Sequence, residues 1–236
     1  MAALGNQLYF TGTAECEAFV ANPLRADRCR ECQQKLEDHR EEAVPEDAAF
    51  AVLAARSPAN RIASWAEILA RRDGTAGSQG GSEQGGDTGR AALWHGGYLA
   101  CKAESLAEMG VNRVVATAKG LEAFFVKWGK SLSALKDDGL VIHRVEWIDA
   151  ESQELGQEEI ANAVSFMTDA LASGHSVLVF CAQGKSRSTA LVIAFLLTTI
   201  RSLTYDDALA WVRSARPLAE PNPGFERQLR ALAEAR

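Results

Sequence analysis

Apolar and polar positions in the second half of the chain alternate between short apolar runs and amphipathic segments. The runs predict strands at ALWHGGYLA (92–100), NRVVATA (112–118), LVIHRVEW (140–147) and HSVLVFC (175–181). Between and after them, the periodicity predicts helices at 102–109, 121–135, 156–171 and 189–200, then one from residue 204 and one after the turn at 221–224. We therefore expect a three-layer α/β domain, with a mostly parallel sheet of about five strands flanked by helices.

Composition divides the chain into three regions. Residues 1–45 are rich in cysteine and charge and form an N-terminal Cys/His segment. Residues 46–89 form a connector, predicted as helical over 48–72 and followed by a Gly/Ser-rich linker or insertion at 73–89. Residues 90–236 carry the predicted α/β domain.

Charge and cysteine content narrow the classes of function. The net charge of -6 and the pI of about 5.3 argue against nucleic-acid binding. The longest apolar run, at 190–197, is too short to span a membrane. The first residues lack the basic flank and apolar core of a secretory signal, and the five cysteines are an odd number, so we expect reduced thiols in the cytoplasm or the nucleus.

The segment around Cys181 carries the strongest chemical signal. An apolar strand ends at this cysteine, a short loop follows, and an apolar helix begins near Arg187. Loops at the carboxyl end of a central strand bind ligands in α/β sheets, and the N-terminus of the following helix favours an anion and a thiolate. Gly184 permits a tight turn, and Arg187 carries a planar group that matches two phosphate oxygens.

Two other interpretations of this loop are weaker. Gly184-Lys185-Ser186 resembles the end of a nucleotide-binding loop, but that loop needs a glycine where this chain has Val179 inside a strand. The other interpretation is a buried cysteine followed by an ordinary helix N-terminus.

The sequence Cys181-Ala-Gln-Gly-Lys-Ser-Arg187-Ser188 resembles the signature loop of the cysteine-based protein tyrosine phosphatases, in particular the atypical dual-specificity phosphatases. The resemblance extends over about residues 90–234 and includes the Arg-Pro and Asn-Pro-Gly-Phe turns near the C-terminus. It implies that Cys181 is the nucleophile, that Arg187 binds phosphate and that Ser188 assists breakdown of the phosphocysteine. The phosphate cradle then consists of Ala182, Gln183, Gly184, Lys185, Ser186 and Arg187.

The family also uses an aspartate about thirty residues before the nucleophile as a general acid. Asp149 lies 32 positions before Cys181, just after a predicted strand, and takes this role by resemblance. An aspartate that caps a helix or a turn is the alternative. The sequence departs from the family at Phe180, where a histidine usually precedes the nucleophile.

The resemblance implies a protein phosphatase that acts on phosphotyrosine and on phosphoserine or phosphothreonine and needs no cofactor for catalysis. Phe180 keeps open the alternative of a catalytically weak module that binds phosphoproteins. Lys185 keeps open a non-protein phosphomonoester such as a phosphoinositide, although enzymes of that kind usually carry a second lysine where this chain has Ala182. The expected partner in the first case is a phosphorylated protein.

The N-terminal segment has a separate signal. Cys16, Cys29, Cys32 and His39 have a spacing that can supply four tetrahedral zinc ligands, and a small polar segment needs such a staple to fold. The segment weakly resembles Cys/His stretches of cytoskeletal adaptors, which suggests a protein partner. The alternatives are unliganded thiols on a charged helix or a redox pair.

Overall fold

The computed structural model describes residues 58–75, 91–121, 125 and 139–235, together with the backbone of short strands within 9–42. The chain divides into two compact units, Met1–Ser57 and Pro58–Arg236. The first unit contains the three-stranded sheet β2-β1-β5 and the pair β3-β4. These strands are β1 (Tyr9–Thr13), β2 (Cys16–Ala18), β3 (Ala21–Asn22), β4 (Arg25–Cys29) and β5 (Arg40–Glu42). The alternative of a charged helix carrying Cys29 is therefore wrong for residues 25–29, which form β4.

The second unit is built on a five-stranded sheet in the order β6-β7-β10-β8-β9. The strands are β6 (Ala59–Ser64), β7 (Ala92–Gly97), β8 (Val111–Ala116), β9 (Val141–Arg144) and β10 (Ser176–Cys181). β10 is central and pairs in parallel with β7 and β8, while β6 is the one antiparallel strand of this sheet. The expected mostly parallel sheet of about five strands is confirmed.

β6 corrects the prediction for residues 48–72, which was helical throughout. Residues 59–64 pair with β7, and the helix begins only at Trp65, as α1 (Trp65–Arg72). Ser64 ends the strand because its side chain caps α1 in a capping box with Glu67. The sheet therefore includes a strand from the segment that composition assigned to the connector.

The remaining helices follow the predicted order. They are α2 (Ala103–Glu108), α3 (Gln157–Ala172), α4 (Arg187–Thr199), α5 (Tyr205–Ala215) and α6 (Pro223–Glu234), with a 3-10 turn at Tyr98–Cys101. Thr204 and Asp207 form the capping box that begins α5, and Asn222 caps α6 directly before Pro223. The predicted helix at 121–135 lies outside the described residues, apart from residues 121 and 125.

Apolar side chains cover both faces of this sheet. One core cluster joins Val177 and Val179 of β10 to α1 and to the helices from α3 to α6. The other cluster joins Leu178 and Phe180 to α2 and to residues around the 3-10 turn. Alternate residues of β10 thus enter opposite layers, and all six of its residues are buried. Among the described residues, no helix combines the length and apolarity needed to cross a membrane.

Candidate active site

The loop from Cys181 to Arg187 connects the end of β10 to the start of α4 and depends on close backbone packing. Gly184 has φ of 68°, and a Cβ atom there would lie 2.4 Å from the backbone carbon of Gly96. A Cβ on Gly97 would lie 3.1 Å from the carbonyl oxygen of Ala182. Glycine is therefore needed at 184 for its conformation and its space, and Gly96-Gly97 lets β7 approach the loop.

The carbonyl groups of the loop are held from outside it. Ala182 accepts from the N–H of Tyr98, Gln183 and Gly184 accept from Arg216, and Lys185 accepts from the N–H of Glu220. In a planar trans peptide the next N–H points opposite to the carbonyl. The amides of residues 183–186 are therefore turned toward the inside of the loop, which makes a concave array of donors suited to a phosphate group.

The sulfur of Cys181 lies on that inner side. Its Sγ accepts hydrogen bonds from the N–H of Gly184 and from the hydroxyl of Ser188, each at 3.2 Å. Both donors stabilise a thiolate more than a thiol, because a hydrogen bond to a charged acceptor is stronger. The predicted nucleophile and the predicted assisting hydroxyl are thus in direct contact.

The N-terminus of α4 is left open for an anion. Ser186 occupies the N-cap position but makes no capping bond, because its hydroxyl donates to Asp149 Oδ1 at 2.6 Å. The side chain of Arg187, in the first turn, is only 15% exposed, and its Nε atom is buried without a hydrogen-bond partner among the described residues. The unpaired N–H groups at the start of α4 and the guanidinium group of Arg187 lie close together, and both favour binding of a dianion.

Asp149 lies beside the loop, where its predicted role requires it. Its Oδ1 atom also accepts from Asn222 Nδ2 at 3.0 Å, and its Oδ2 atom is 3.6 Å from Arg187 Nε. Asn222 in turn donates its backbone N–H to Ser186 Oγ at 3.1 Å. These bonds tie Asp149 to the phosphate loop, and its role as general acid stays a prediction.

Arg216 supports the loop from beneath and is 2% exposed. Its Nε and Nη2 atoms donate to the carbonyls of Gly184 and Gln183 at 2.8 and 3.1 Å, and its Nη1 atom donates to Asn60 of β6 at 2.7 Å. Burial lowers the pKa of Arg216 to about 10, and the charge of Cys181 acts in the opposite direction. Arg216 thus connects the loop to the edge strand of the sheet.

Lys185 is paired outside the cradle. Its ammonium group forms an ion pair with Glu220, and the two residues also share the backbone bond described above. The Lys185 side chain is 26% exposed and that of Glu220 is 59% exposed. The charge of Lys185 is therefore partly neutralised before any ligand arrives.

Phe180 fills the second core cluster. It is fully buried and meets Phe125 edge-to-face, with ring centroids 6.3 Å apart. Its carbonyl oxygen accepts both the N–H and the hydroxyl of Thr117 at 2.9 Å. The side chain at position 180 thus contributes packing and cannot donate a hydrogen bond to the loop.

The predicted zinc site stays a prediction. Cys32 and His39 lie outside the described residues, and for Cys16 and Cys29 only the strand backbone is described. In the part of the chain that the structure describes, no group of three or more His, Cys, Asp or Glu side chains could hold a metal ion. Cys101 and Cys181 are free and buried.

Sequence reasoning did not find several residues of this site. Arg216, Asn222 and Glu220 come from the turns that follow α5, and His95 comes from β7. The Arg-Pro and Asn-Pro-Gly-Phe turns were part of the family resemblance, but the resemblance assigned no role to Arg216 or Asn222. Adjacent glycines at 96 and 97 were a usable signal that another backbone lies close to this strand.

Comparison with known proteins gives one consistent family. The sequence model described as "Dual specificity phosphatase, catalytic domain" matches residues 97–235. Dual specificity protein phosphatase 1 of Arabidopsis thaliana is 39% identical over 105 residues, which are 44% of this chain and 52% of that protein. Human dual specificity phosphatase 28 is 46% identical over 69 residues, which are 29% of this chain and 39% of that protein.

A solved structure agrees with these relatives. The crystal structure of human DUSP28 superposes with a TM-score of 0.52 and 27% identity, covering 76% of this chain and 95% of that one. The chain spans about half or less of the length of these two curated relatives.

Proposed function

Because the chain belongs to the dual specificity phosphatase family, we propose that it is a protein phosphatase acting on phosphotyrosine and on phosphoserine or phosphothreonine. One observation carries the proposal. The Cys181 sulfur lies at the end of the central strand and accepts from Gly184 and Ser188, on the side to which the loop amides are turned. A nucleophile and an anion cradle therefore share one small volume.

The residues fit a two-step transfer. The Cys181 thiolate attacks phosphorus, the bond to the leaving oxygen breaks, and Asp149 donates a proton to that oxygen. Water then attacks the phosphocysteine with Asp149 accepting its proton, and the sulfur leaves as a thiolate to which Ser188 donates. Arg187 and the loop amides hold the remaining phosphoryl oxygens in both steps. This chemistry needs no metal or other cofactor.

Turnover of para-nitrophenyl phosphate, followed by phosphotyrosine, phosphoserine and phosphothreonine peptides, tests the proposal. Cys181→Ser should abolish turnover and retain affinity for phosphate ligands, because the cradle and Arg187 survive while a hydroxyl is a far weaker nucleophile. Acid quenching of wild-type protein should trap phosphate on the peptide that contains Cys181. Turnover by the Cys181→Ser protein at more than a few per cent of the wild-type rate contradicts the nucleophile assignment.

A phosphate-dependent binding module is the second candidate. It is favoured by Phe180, which packs against Phe125 and gives the loop no hydrogen bond from its side chain. Such a module would bind phosphopeptides with the wild-type sequence and release no phosphate. Equilibrium binding and phosphate release measured on the same peptides distinguish the two.

A phosphoinositide or another non-protein substrate is less well supported. The lysine that suggested it is already paired with Glu220, so an extra phosphate group would have to compete with that carboxylate. Release of phosphate from phosphoinositide vesicles, compared with phosphopeptides at equal concentration, decides between the classes.

We also propose that the N-terminal segment binds one zinc ion through Cys16, Cys29, Cys32 and His39 and contacts a protein partner. The spacing of these four residues supports the zinc proposal. Elemental analysis should give about one zinc per chain, and less than a tenth of an equivalent contradicts it. Because the chemistry needs a reduced Cys181, we propose the cytoplasm or the nucleus as its location, which imaging of a tagged chain tests.

A further inference from the structure

His95 lies on the face of the sheet that packs against α4, close to the Cys181 sulfur. It belongs to β7 and aligns with Val179 of β10 on one side and with Asn60 of β6 on the other. Directly paired residues point to the same face of a sheet, so His95 faces α4, whereas Phe180 enters the opposite core cluster. The imidazole is 0% exposed.

Two contacts join this imidazole to α4, and a third leads from α4 to the sulfur. His95 Nε2 lies 2.9 Å from Ser188 Oγ and 3.3 Å from Thr189 Oγ1. Ser188 Oγ donates to Cys181 Sγ at 3.2 Å. The side chains therefore form a continuous chain from His95 through Ser188 to the sulfur.

The directions of the hydrogen bonds determine where the proton of the imidazole lies. The Ser188 proton is directed at sulfur, and the Thr189 hydroxyl donates to the carbonyl of Lys185 at 2.5 Å. With both hydroxyl protons used, His95 Nε2 must be the donor. Nδ1 has no hydrogen-bond partner within the described residues, and a buried N–H without an acceptor is rarer than a lone pair without a donor.

Burial is the main reason why this imidazole stays neutral. Burial, with a smaller contribution from the charge of Arg216, holds the pKa of His95 well below its usual value. Lys185 and Arg187 of the loop and Asp149 beside it are also charged. His95 therefore acts as a fixed hydrogen-bond donor rather than as an acid or a base of the reaction.

We propose that His95 is a positioning residue. It holds the Ser188 hydroxyl in the orientation in which its O–H donates to the Cys181 sulfur. By donating to Ser188 Oγ, it removes the rotamers in which that hydroxyl turns elsewhere, and it polarises the O–H bond toward sulfur. The thiolate is stabilised before attack and again when the phosphocysteine breaks down. The inference rests on the proposed function only in taking Cys181 as the reactive thiol.

The test is the pH profile of alkylation of Cys181 by iodoacetamide, followed by mass spectrometry of the peptide that contains it. Only the thiolate reacts, so the acidic limb of the profile reports its formation without any need for turnover. The Cys181→Ser protein should give no alkylated form of this peptide, which assigns the signal to Cys181.

His95→Leu should move this limb to higher pH by roughly half to one unit, the size of one hydrogen bond. His95→Gln places an amide N–H near the position of Nε2, so its acidic limb should lie close to that of the wild-type protein. In a Ser188→Ala background, His95→Leu should have no further effect, because the link is already missing.

Two results would overturn the proposal. One is a limb for His95→Leu that coincides with wild type. The other is an equal shift with and without Ser188, which would mean that His95 acts through packing or through Arg216.

If His95→Leu does not fold, His95→Asn replaces it in the test, because the Asn amide ends near the position of Nδ1 and cannot reach Ser188. A protein that shows the predicted alkylation profiles but hydrolyses no phosphomonoester would contradict the proposed function and leave this inference intact.

Discussion

Asp149 and Arg187 face each other at the loop, with Oδ2 of the aspartate 3.6 Å from Nε of the arginine. The same carboxylate accepts from Ser186 and Asn222 through its other oxygen. One oxygen is thus anchored to the loop while the other lies beside the predicted phosphate-binding group. In the proposed mechanism, Oδ2 is therefore the oxygen that donates a proton to the leaving group.

The first prediction separates the acid role of Asp149 from its anchoring role. Asp149→Asn keeps an oxygen that accepts from Ser186 and Asn222 but cannot donate a proton as an acid. We expect its rate on phenyl phosphate to fall about 100-fold or more, and much less on an activated aryl phosphate whose leaving group needs little protonation. Steady-state kinetics with both esters measure this, and equal losses would indicate a structural role.

The second prediction concerns the support that Arg216 gives to the loop. Arg216→Met removes the hydrogen bonds to Gln183, Gly184 and Asn60 and leaves the two loop carbonyls without these donors. We expect the free energy of unfolding to fall by on the order of 3 kcal/mol, with a large loss of turnover. Arg216→Lys, which keeps the charge but not the planar fork, should be intermediate. Urea unfolding of the three proteins checks the order.

The third prediction concerns the ion pair between Lys185 and Glu220. Glu220→Gln releases the ammonium group, so kcat/KM should rise roughly threefold for phosphopeptides with acidic neighbours and stay unchanged for para-nitrophenyl phosphate. The gain should shrink in high salt, because exposed charges are screened. Asp73→Asn, which removes the same charge at the end of α1, is the control. An equal rise with that variant would point to net charge alone.

The fourth prediction concerns Phe180. Phe180→His introduces a hydrogen-bonding ring directly before the nucleophile, and we expect its pH–rate profile to extend to lower pH. The gain in rate should disappear at high pH, where Cys181 is a thiolate in both proteins. Phe180→Leu, which keeps an apolar side chain, should not extend the profile. Coincident acidic limbs for wild type and Phe180→His would show that Phe180 contributes packing alone.

The fifth prediction follows from the buried imidazole. The pKa of His95 is lower in the folded protein than in the unfolded chain. As the pH falls, His95 therefore becomes protonated in the unfolded chain before it does so in the folded protein. Stability should therefore decrease below about pH 6.5, by up to about 1.4 kcal/mol per pH unit from this group. His95→Gln lacks the titrating group and should lose less stability over the same range. Parallel stability curves for the two proteins would contradict the account.

The sequence predicted those parts of the site that lie next to one another along the chain. The apolar run into Cys181, the glycine at 184 and the apolar helix after Arg187 are local features, and each lies where it was expected. His95 could not be found in this way, because a histidine in an apolar strand gains its meaning from Ser188, 93 positions later. Arg216 is another case, since its contacts with Gln183 and Gly184 depend on how α5 ends.

β6 was missed for a different reason. Its sequence ANRIAS has no strict alternation, and the alanines around it favour a helix by propensity. Pairing with β7 outweighed that propensity, and the strand ends where Ser64 caps the following helix. Tertiary pairing of this kind leaves little trace in one sequence.

The position of β6 has a practical consequence for recombinant fragments of this chain. A fragment that began at the family match, residue 97, would lack β6 and nearly all of β7, so it would lose both His95 and the Asn60 contact of Arg216. One that began at residue 90 would keep β7 but leave its outer backbone groups unpaired. Open strand edges promote aggregation. A fragment that begins at residue 58 keeps β6 paired with β7 and omits only the first unit.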